Sequence, residues 1–190
     1  MKRDFCGKLI RKYLSEDALV YCSLGSAGRT WRAQQAPQPT YYGSDPMGVS
    51  MAMALGLALA QPQREVLLIS GDGDLVMNLG SLLTVVGSNV RNLKVIIFDN
   101  GRYETGGGQP LAAAGAYSLG AIARGAGFPY ALDVVEEDKA EAEAEIRTFL
   151  GRNGLAFLAL RIDQEASPYP PAPPFAQVEE RIAFMQRLRQ

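Results

Sequence analysis

Two short motifs place oxygen-bearing side chains directly after apolar runs. Gly71-Asp72-Gly73 ends one run, and Asp99-Asn100-Gly101 ends another. The side chains of Asp72 and Asn100 offer hard oxygen ligands of the kind that magnesium takes when it is shared with phosphate groups. The glycines beside them allow the main chain to approach a ligand and to present its amides. This pattern favours a site for a metal-bound diphosphate, although either motif alone also fits a strand-to-helix turn without a ligand.

The elements that must position these residues alternate between strand-like and helix-like patterns. We expect strands in DALVYCSLG, REVLLISGDG, LKVIIFDNG, YALDVV and LAFLALRID, and helices at residues 3–14, 47–61, 75–89, 117–128, 136–154 and about 177–189. The apolar runs lack polar alternation, which indicates strands that are covered on both faces. The sequence therefore predicts an α/β protein, a three-layer α/β/α sandwich with a mainly parallel sheet.

Three of the predicted strands end in stretches rich in glycine and small polar residues. These stretches are SLGSAG (23–28), SGDGD (70–74) and FDNGRYETGGGQP (98–110). Ligands of an open parallel sheet bind beyond the carboxyl ends of its strands. A helix that begins near Leu75 would also point its free N–H groups towards the same place. We therefore expect the ligand at this edge of the sheet.

Composition limits the partners of the protein. The 190 residues carry a net charge near −1, with 47% apolar and 21% charged residues, so nucleic acid and anionic membranes are poor partners. The first residues alternate charged and apolar types, unlike a signal peptide, and no stretch has the length and apolarity of a membrane helix. A cytoplasmic protein is the expectation. Residues 1–165 would form one domain, and residues 166–190 a proline-rich arm with a C-terminal helix.

The cysteine and histidine content limits the types of chemistry that the side chains of this protein can perform. Cys6 and Cys22 form neither a disulfide framework nor a metal-cluster set, so reduced thiols are expected. Histidine is absent, which removes the commonest general base. Acid–base chemistry would have to use carboxylates, a bound cofactor or another chain.

One arrangement in the chain resembles the signature of thiamine-diphosphate-dependent enzymes. It consists of Gly71-Asp72-Gly73, then the 26 residues 74–99, and then Asn100. The predicted order of elements also agrees with that family: a strand, the GDG motif, a helix, a second strand and then the asparagine. The resemblance covers roughly residues 3–165 and implies the diphosphate-binding (PP-type) domain of the thiamine-diphosphate-binding fold. It implies that Asp72, Asn100 and the main-chain carbonyl of Arg102 bind Mg²⁺, which in turn holds the cofactor's diphosphate.

The same resemblance assigns further cofactor contacts. The residues expected to donate to the diphosphate are Gly25, Ser26, Gly73 and Asp74. YYGSDPMGVS resembles the family's loop in which an apolar residue wedges between the two cofactor rings. Met47 would be this wedge, and the neighbouring main chain, including Asp45 and Gly48, would read the aminopyrimidine; ordinary core packing is the alternative for Met47. A carboxylate at Asp74 should repel a diphosphate unless its side chain caps the helix and turns away.

The stretches GDGDLVMNLGSL and DNGRYETGGGQP particularly resemble sulfopyruvate decarboxylase β subunits and the C-terminal part of phosphonopyruvate decarboxylase. The resemblance implies a subunit of a heteromeric 2-oxo acid decarboxylase, a carbon–carbon lyase. A partner subunit with a pyrimidine-binding domain would supply the ylid-generating glutamate, in an α2β2 or larger assembly. Met47 and Glu104 would serve catalysis, Glu104 from a glycine-rich segment able to close over the cofactor, although loop structure alone also explains Glu104.

Three alternatives remain open from the sequence. A 2-oxoacid oxidoreductase subunit would normally carry cysteines for an iron–sulfur cluster, and two distant cysteines fit this poorly. A carboligase would differ in the molecule with which the reaction intermediate reacts next. A stand-alone thiamine-diphosphate-binding module would have no partner.

Overall fold

Six parallel strands form the central sheet of the computed structural model, which describes residues 1–135, 138–165, 167–171, 173 and 176–188. Across the sheet the order is β2 (Thr40–Tyr42), β1 (Leu19–Cys22), β3 (Val66–Gly71), β4 (Leu93–Asp99), β8 (Ala156–Arg161) and β7 (Tyr130–Val134). A short antiparallel ribbon of β5 (Arg102–Tyr103) and β6 (Gln109–Pro110) follows β4. The carboxyl ends of β1, β3 and β4 therefore lie side by side.

Helices cover both faces of this sheet. On one face lie α1 (Arg3–Tyr13), α2 (Gly25–Ala33) and α7 (Lys139–Gly151); on the other lie α3 (Ser50–Ala60), α4 (Asp72–Val76), α5 (Ser81–Gly87), α6 (Leu119–Ala126) and α8 (Ala176–Leu188). Alternate strand residues enter the two cores, with Leu19 and Tyr21 in one and Val20 and Cys22 in the other. The predicted three-layer α/β/α sandwich with a parallel sheet is confirmed.

The structure differs from the predicted elements at four places, one of which is the β5–β6 ribbon, which was not predicted. The helix predicted over 75–89 begins at Asp72 and is divided into α4 and α5, because Asn78 and Gly80 between them favour a turn over a helix. Helix α2 occupies part of a segment expected to be a glycine-rich turn, and strand β2 was not predicted. Residues 136–137 and 189, which were assigned to helices, lie outside the described residues.

Helix α8 packs on the edge of the sheet. The guanidinium of Arg32 donates from Nε and Nη2 to the two carboxylate oxygens of Glu180, at 2.7 and 2.8 Å. Phe184 is buried and meets the ring of Tyr41 edge to face. The division of the chain at residue 165 stays a prediction.

Among the residues that the structure describes, no helix has both the length and the apolarity needed to cross a membrane.

Candidate functional site

Asp72 is a buried carboxylate at the first position of α4, directly after β3. Its Oδ1 accepts a hydrogen bond from the main-chain N–H of Gly73 at 2.9 Å, and its Oδ2 accepts one from Gly101 at 2.6 Å. Burial, and then the nearby Asp99 carboxyl group, raise the pKa of Asp72 to about 7 from an ordinary value of 3.8. A bound cation would offset both effects by favouring the ionised carboxylate.

Asn100 follows the neighbouring strand and lies beside Asp72, because Gly101 bridges the two. Its Oδ1 accepts from the main-chain N–H of Arg102 at 2.9 Å. The Arg102 side chain is exposed and donates from Nη1 to the carbonyl of Gly108 at 3.1 Å. The main-chain N–H of Arg102 is therefore placed towards Asn100, and the carbonyl role expected for Arg102 stays a prediction.

The side chain of Asp74 is hydrogen-bonded to the loop before α3 and to two serine hydroxyls. Its Oδ2 accepts from the hydroxyls of Ser23 and Ser70 at 2.8 and 2.5 Å, and its Oδ1 accepts from the main-chain N–H of Gly48 at 2.5 Å. Asn78 completes the attachment by donating to the carbonyl of Gly48 at 2.9 Å. The Asp74 carboxylate thus fixes a neighbouring loop and does not cap its own helix, and its relation to a diphosphate stays a prediction.

Met47 lines the cavity and is partly exposed. Its Cε lies 3.3 Å from the position that a Cβ on Gly73 would take. Asp45, two residues earlier, accepts a hydrogen bond from the Tyr21 hydroxyl at 2.8 Å. The structure therefore places Met47 on the wall of the cavity and outside the two buried cores.

Glu104 lies on the loop between β5 and β6, and its carboxylate reaches into the same cavity. Its Oε2 accepts from Ser26 Oγ at 2.9 Å and from Asn100 Nδ2 at 3.1 Å. The adjacent Thr105 passes so close to Gly25 that a Cβ there would lie 2.2 Å from the Thr105 hydroxyl oxygen. The loop thus covers the turn that opens α2.

Nine of the twelve candidate residues line this one cavity: Ser26, Met47, Gly71, Asp72, Gly73, Asp74, Asn100, Arg102 and Glu104. Gly25 lines the adjoining cleft. Asp45 and Gly48 lie in the loop next to the cavity, where Asp45 is hydrogen-bonded to Tyr21 and Gly48 to Asp74.

The cavity also contains two residues outside the stretches that the sequence indicated, Arg3 and Ile162. Arg3 is remote in sequence and lies on an amphipathic helix, so no local pattern marks it. Tyr103, which also lines the cavity, lies in the predicted loop, directly after Arg102.

The sequence matches a family model described as "Thiamine pyrophosphate enzyme, C-terminal TPP binding domain" over residues 22–160. The match includes the strand ends, α2 and the Asp72 and Asn100 motifs.

Two relatives have described activities. A sulfopyruvate decarboxylase subunit beta of Methanothermobacter thermautotrophicus is 38% identical over 113 residues, which is 60% of this chain and 60% of that protein. The acetolactate synthase isozyme 1 large subunit of Escherichia coli is 29% identical over 187 residues, covering 89% of this chain and 32% of that protein. The chain therefore matches less than two thirds of the length of either relative.

A solved structure has the same fold. Benzoylformate decarboxylase from Polynucleobacter necessarius superposes with a TM-score of 0.70 at 18% identity, covering 90% of this chain and 34% of that one. Taken with the family model over residues 22–160, the Asp72–Gly101–Asn100 arrangement identifies the chain as a member of the thiamine pyrophosphate enzyme family that carries the TPP-binding domain.

Proposed function

We propose that this chain is the diphosphate-binding subunit of a heteromeric 2-oxo acid decarboxylase that depends on thiamine diphosphate and magnesium. The observation that carries the proposal is the junction of Asp72 and Asn100 through Gly101, at the carboxyl ends of β3 and β4. A cytoplasmic location belongs to the same proposal.

Magnesium would be held by Asp72, Asn100 and the main-chain carbonyl of Arg102. Within the described part of the chain, no three His, Cys, Asp or Glu side chains come together as a metal cage. The proposed set contains one carboxylate and two neutral oxygens, which suits an ion that keeps positions for phosphate oxygens and water. The fit is supported by Asp72, a buried carboxylate whose raised pKa a divalent cation would offset.

The diphosphate would lie against the turn at Gly25 and Ser26 and the first turn of α4 at Gly71, Gly73 and Asp74. Ser26 carries a hydroxyl donor that already binds a carboxylate oxygen. At Asp74 the main chain would serve the cofactor, because the side chain is engaged with Gly48. Backbone and hydroxyl donors of this kind suit a phosphate group.

Thiamine diphosphate, when bound, supplies an electron sink for the bond that breaks next to the carbonyl of a 2-oxo acid. The chain's own residues would place and enclose it. Met47 would orient the rings from the cavity wall, with the main chain of Asp45 and Gly48 along the aminopyrimidine. Glu104 lies on the loop that would close over the site, where exclusion of water strengthens electrostatic interactions.

The proposed partner and substrate class are supported by the relative that is named a sulfopyruvate decarboxylase subunit beta. By analogy, a second subunit with a pyrimidine-binding domain would supply the glutamate that activates the cofactor, in an α2β2 or larger assembly. The substrate would be a 2-oxo acid with a second acidic group, such as a sulfonate or phosphonate.

A carboligase subunit is the second candidate. The match to the acetolactate synthase large subunit favours it, because that match extends over 89% of this chain. An oxidoreductase subunit has less support, since both cysteines are buried and free. The two candidate reactions share their first step, so the product distinguishes them.

Co-expression with a subunit that carries a pyrimidine-binding domain would test the proposal. The complex should release carbon dioxide from a panel of 2-oxo acids, with sulfopyruvate or phosphonopyruvate preferred over pyruvate. A longer-chain product would instead identify the carboligase. If this chain alone, with magnesium and cofactor, turned over at about 1 per second or faster, the requirement for a partner would be wrong.

A further inference from the structure

Arg3, on the first turn of α1, brings a buried cation into the cavity. The residue is only 6% exposed. Its Nη2 donates to Glu104 Oε2 at 2.6 Å, and no acceptor among the described residues lies within hydrogen-bond distance of its Nε. A buried guanidinium is costly unless anions and acceptors satisfy it. Arg3, which lines the cavity, therefore has a buried Nε donor without an acceptor among the described residues.

The Glu104 carboxylate lies among a set of donors that suits an oxyanion. Arg3, Ser26 and Asn100 all donate to Oε2, at 2.6, 2.9 and 3.1 Å. The other oxygen, Oε1, accepts from the main-chain N–H of Ser167 at 3.2 Å. A guanidinium, a hydroxyl and an amide converge on one oxygen, which is the recognition chemistry of a phosphate as well as of a carboxylate.

A diphosphate and the Glu104 carboxylate cannot share this position. With Glu104 in place the cavity holds about 40 Å³, room for about three waters at roughly 10–15 Å³ each. A diphosphate beside the Glu104 carboxylate would also be repelled by its like charge. Glu104 can leave, because its side chain is 24% exposed and its loop continues into three consecutive glycines.

We infer that Arg3 is a diphosphate-binding residue, and that Glu104 competes with the diphosphate for Arg3 and Ser26. The inference rests on the proposed function, which gives the site a diphosphate. In the exchange Arg3 keeps an anionic partner throughout, and the Glu104 carboxylate turns out of the cavity. The Glu104–Arg3 pair would thus lower the affinity of the site for its cofactor.

The test measures binding by calorimetry in the presence of magnesium, with thiamine diphosphate and, separately, with inorganic diphosphate. Arg3→Met keeps most of the apolar stem and should weaken binding of both probes at least tenfold. Glu104→Gln removes the competing charge and should tighten binding of both about threefold or more. Lys2→Met is the matched control, because it removes an exposed cation one residue away and should change neither affinity by more than about twofold.

The outcomes separate the two proposals. If Arg3→Met binds both probes as wild type does, or if Glu104→Gln binds them more weakly, the inference is overturned. Failure of both probes to bind the wild-type chain also overturns it. If inorganic diphosphate binds in an Arg3-dependent manner and thiamine diphosphate does not bind, the proposed function fails and the inference stands. Should Arg3→Met not fold, Arg3→Lys and Glu104→Gln carry the same test, since the first keeps the charge and should lose affinity only in part.

Discussion

Asp74 and Gly48 are joined by a hydrogen bond of 2.5 Å, in which the main-chain N–H of Gly48 donates to the carboxylate. Asp74 lies two residues after Asp72, and Gly48 directly follows Met47. The bond therefore connects the proposed metal position to the loop that would shape the cofactor. A buried donor that loses its acceptor costs about 1–3 kcal/mol, so this connection should be rigid.

Asp74→Asn should test the connection. The change keeps the size of the side chain and removes one acceptor oxygen, so the free energy of unfolding should fall by about 1–3 kcal/mol. Asp17→Asn is the control, because Asp17 is exposed, and it should stay within about 0.5 kcal/mol of wild type in urea unfolding. Equal stability of the two variants would mean that the Asp74 bonds do not hold the loop.

Met47→Ala should separate a role in the site from a role in the core. Met47 is partly exposed on the cavity wall, so we expect a stability loss well below the roughly 2–5 kcal/mol typical of a core methionine. Met51→Ala, in α3 and 4% exposed, should show that full loss. In the assembled enzyme, Met47→Ala should slow thiazolium proton exchange more than it weakens cofactor binding, since orientation is its role. A large stability loss with unchanged exchange would make Met47 a core residue.

Gly25→Ala should disturb the loop that covers the site. Gly25 has a φ of +74°, and an added Cβ would lie 2.2 Å from the Thr105 hydroxyl oxygen. We expect a loss of at least about 1–2 kcal/mol from the backbone conformation alone, plus the cost of the contact. Adding Thr105→Ala to this variant should recover only the part of the stability loss that the close contact causes. The stability changes of the two substitutions should therefore be non-additive in a double-mutant cycle measured by thermal unfolding.

Gly56→Ala serves as the glycine control. Gly56 is exposed in α3, and no atom lies within 4 Å of its added Cβ. This substitution should stabilise the protein by about 0.5–1 kcal/mol. A loss at Gly56 equal to that at Gly25 would contradict the geometric explanation.

Much of the fold was predictable because its signals are local. Fully apolar runs such as Val66 to Ile69 leave few alternatives to a buried strand. Helix α2 escaped prediction because only Ala27 and Trp31 form its buried apolar stripe, between glycines that suit a turn. Strand β2 is three residues long and follows a proline, so its pairing with β1 depends on the tertiary fold.

The site was predictable in part for the same reason. Asp72 and Asn100 each end an apolar run, so parallel pairing brings them together. The burial of Arg3 depends on how α1 docks against the sheet, and Glu104 meets it across 101 residues of sequence. A repeating pattern of residue types along the sequence does not predict a contact of this kind.

Cys6 should make stability depend on pH in alkaline solution. Burial raises the pKa of the Cys6 thiol from 9.0 to about 12. Between these values the unfolded chain has lost the proton and the folded chain keeps it, so the free energy of unfolding should fall as pH rises above 9. Cys6→Ala should make this decline shallower by up to about 1.4 kcal/mol per pH unit. If the free energy of unfolding of the two proteins, measured by denaturant titration at pH 8 to 10.5, declined with pH at the same slope, folding would not raise the pKa of the Cys6 thiol.

The most direct measurement of the central claim is calorimetric titration of thiamine diphosphate with magnesium into wild type and Asp72→Asn. Asp72 is the one proposed magnesium ligand that carries a charge, so the variant should bind the cofactor at least tenfold more weakly, about 1.4 kcal/mol or more. Chelation of magnesium should weaken binding to wild type and have little further effect on the variant. Equal dissociation constants for wild type and Asp72→Asn, with both proteins folded, would contradict the assignment of this site.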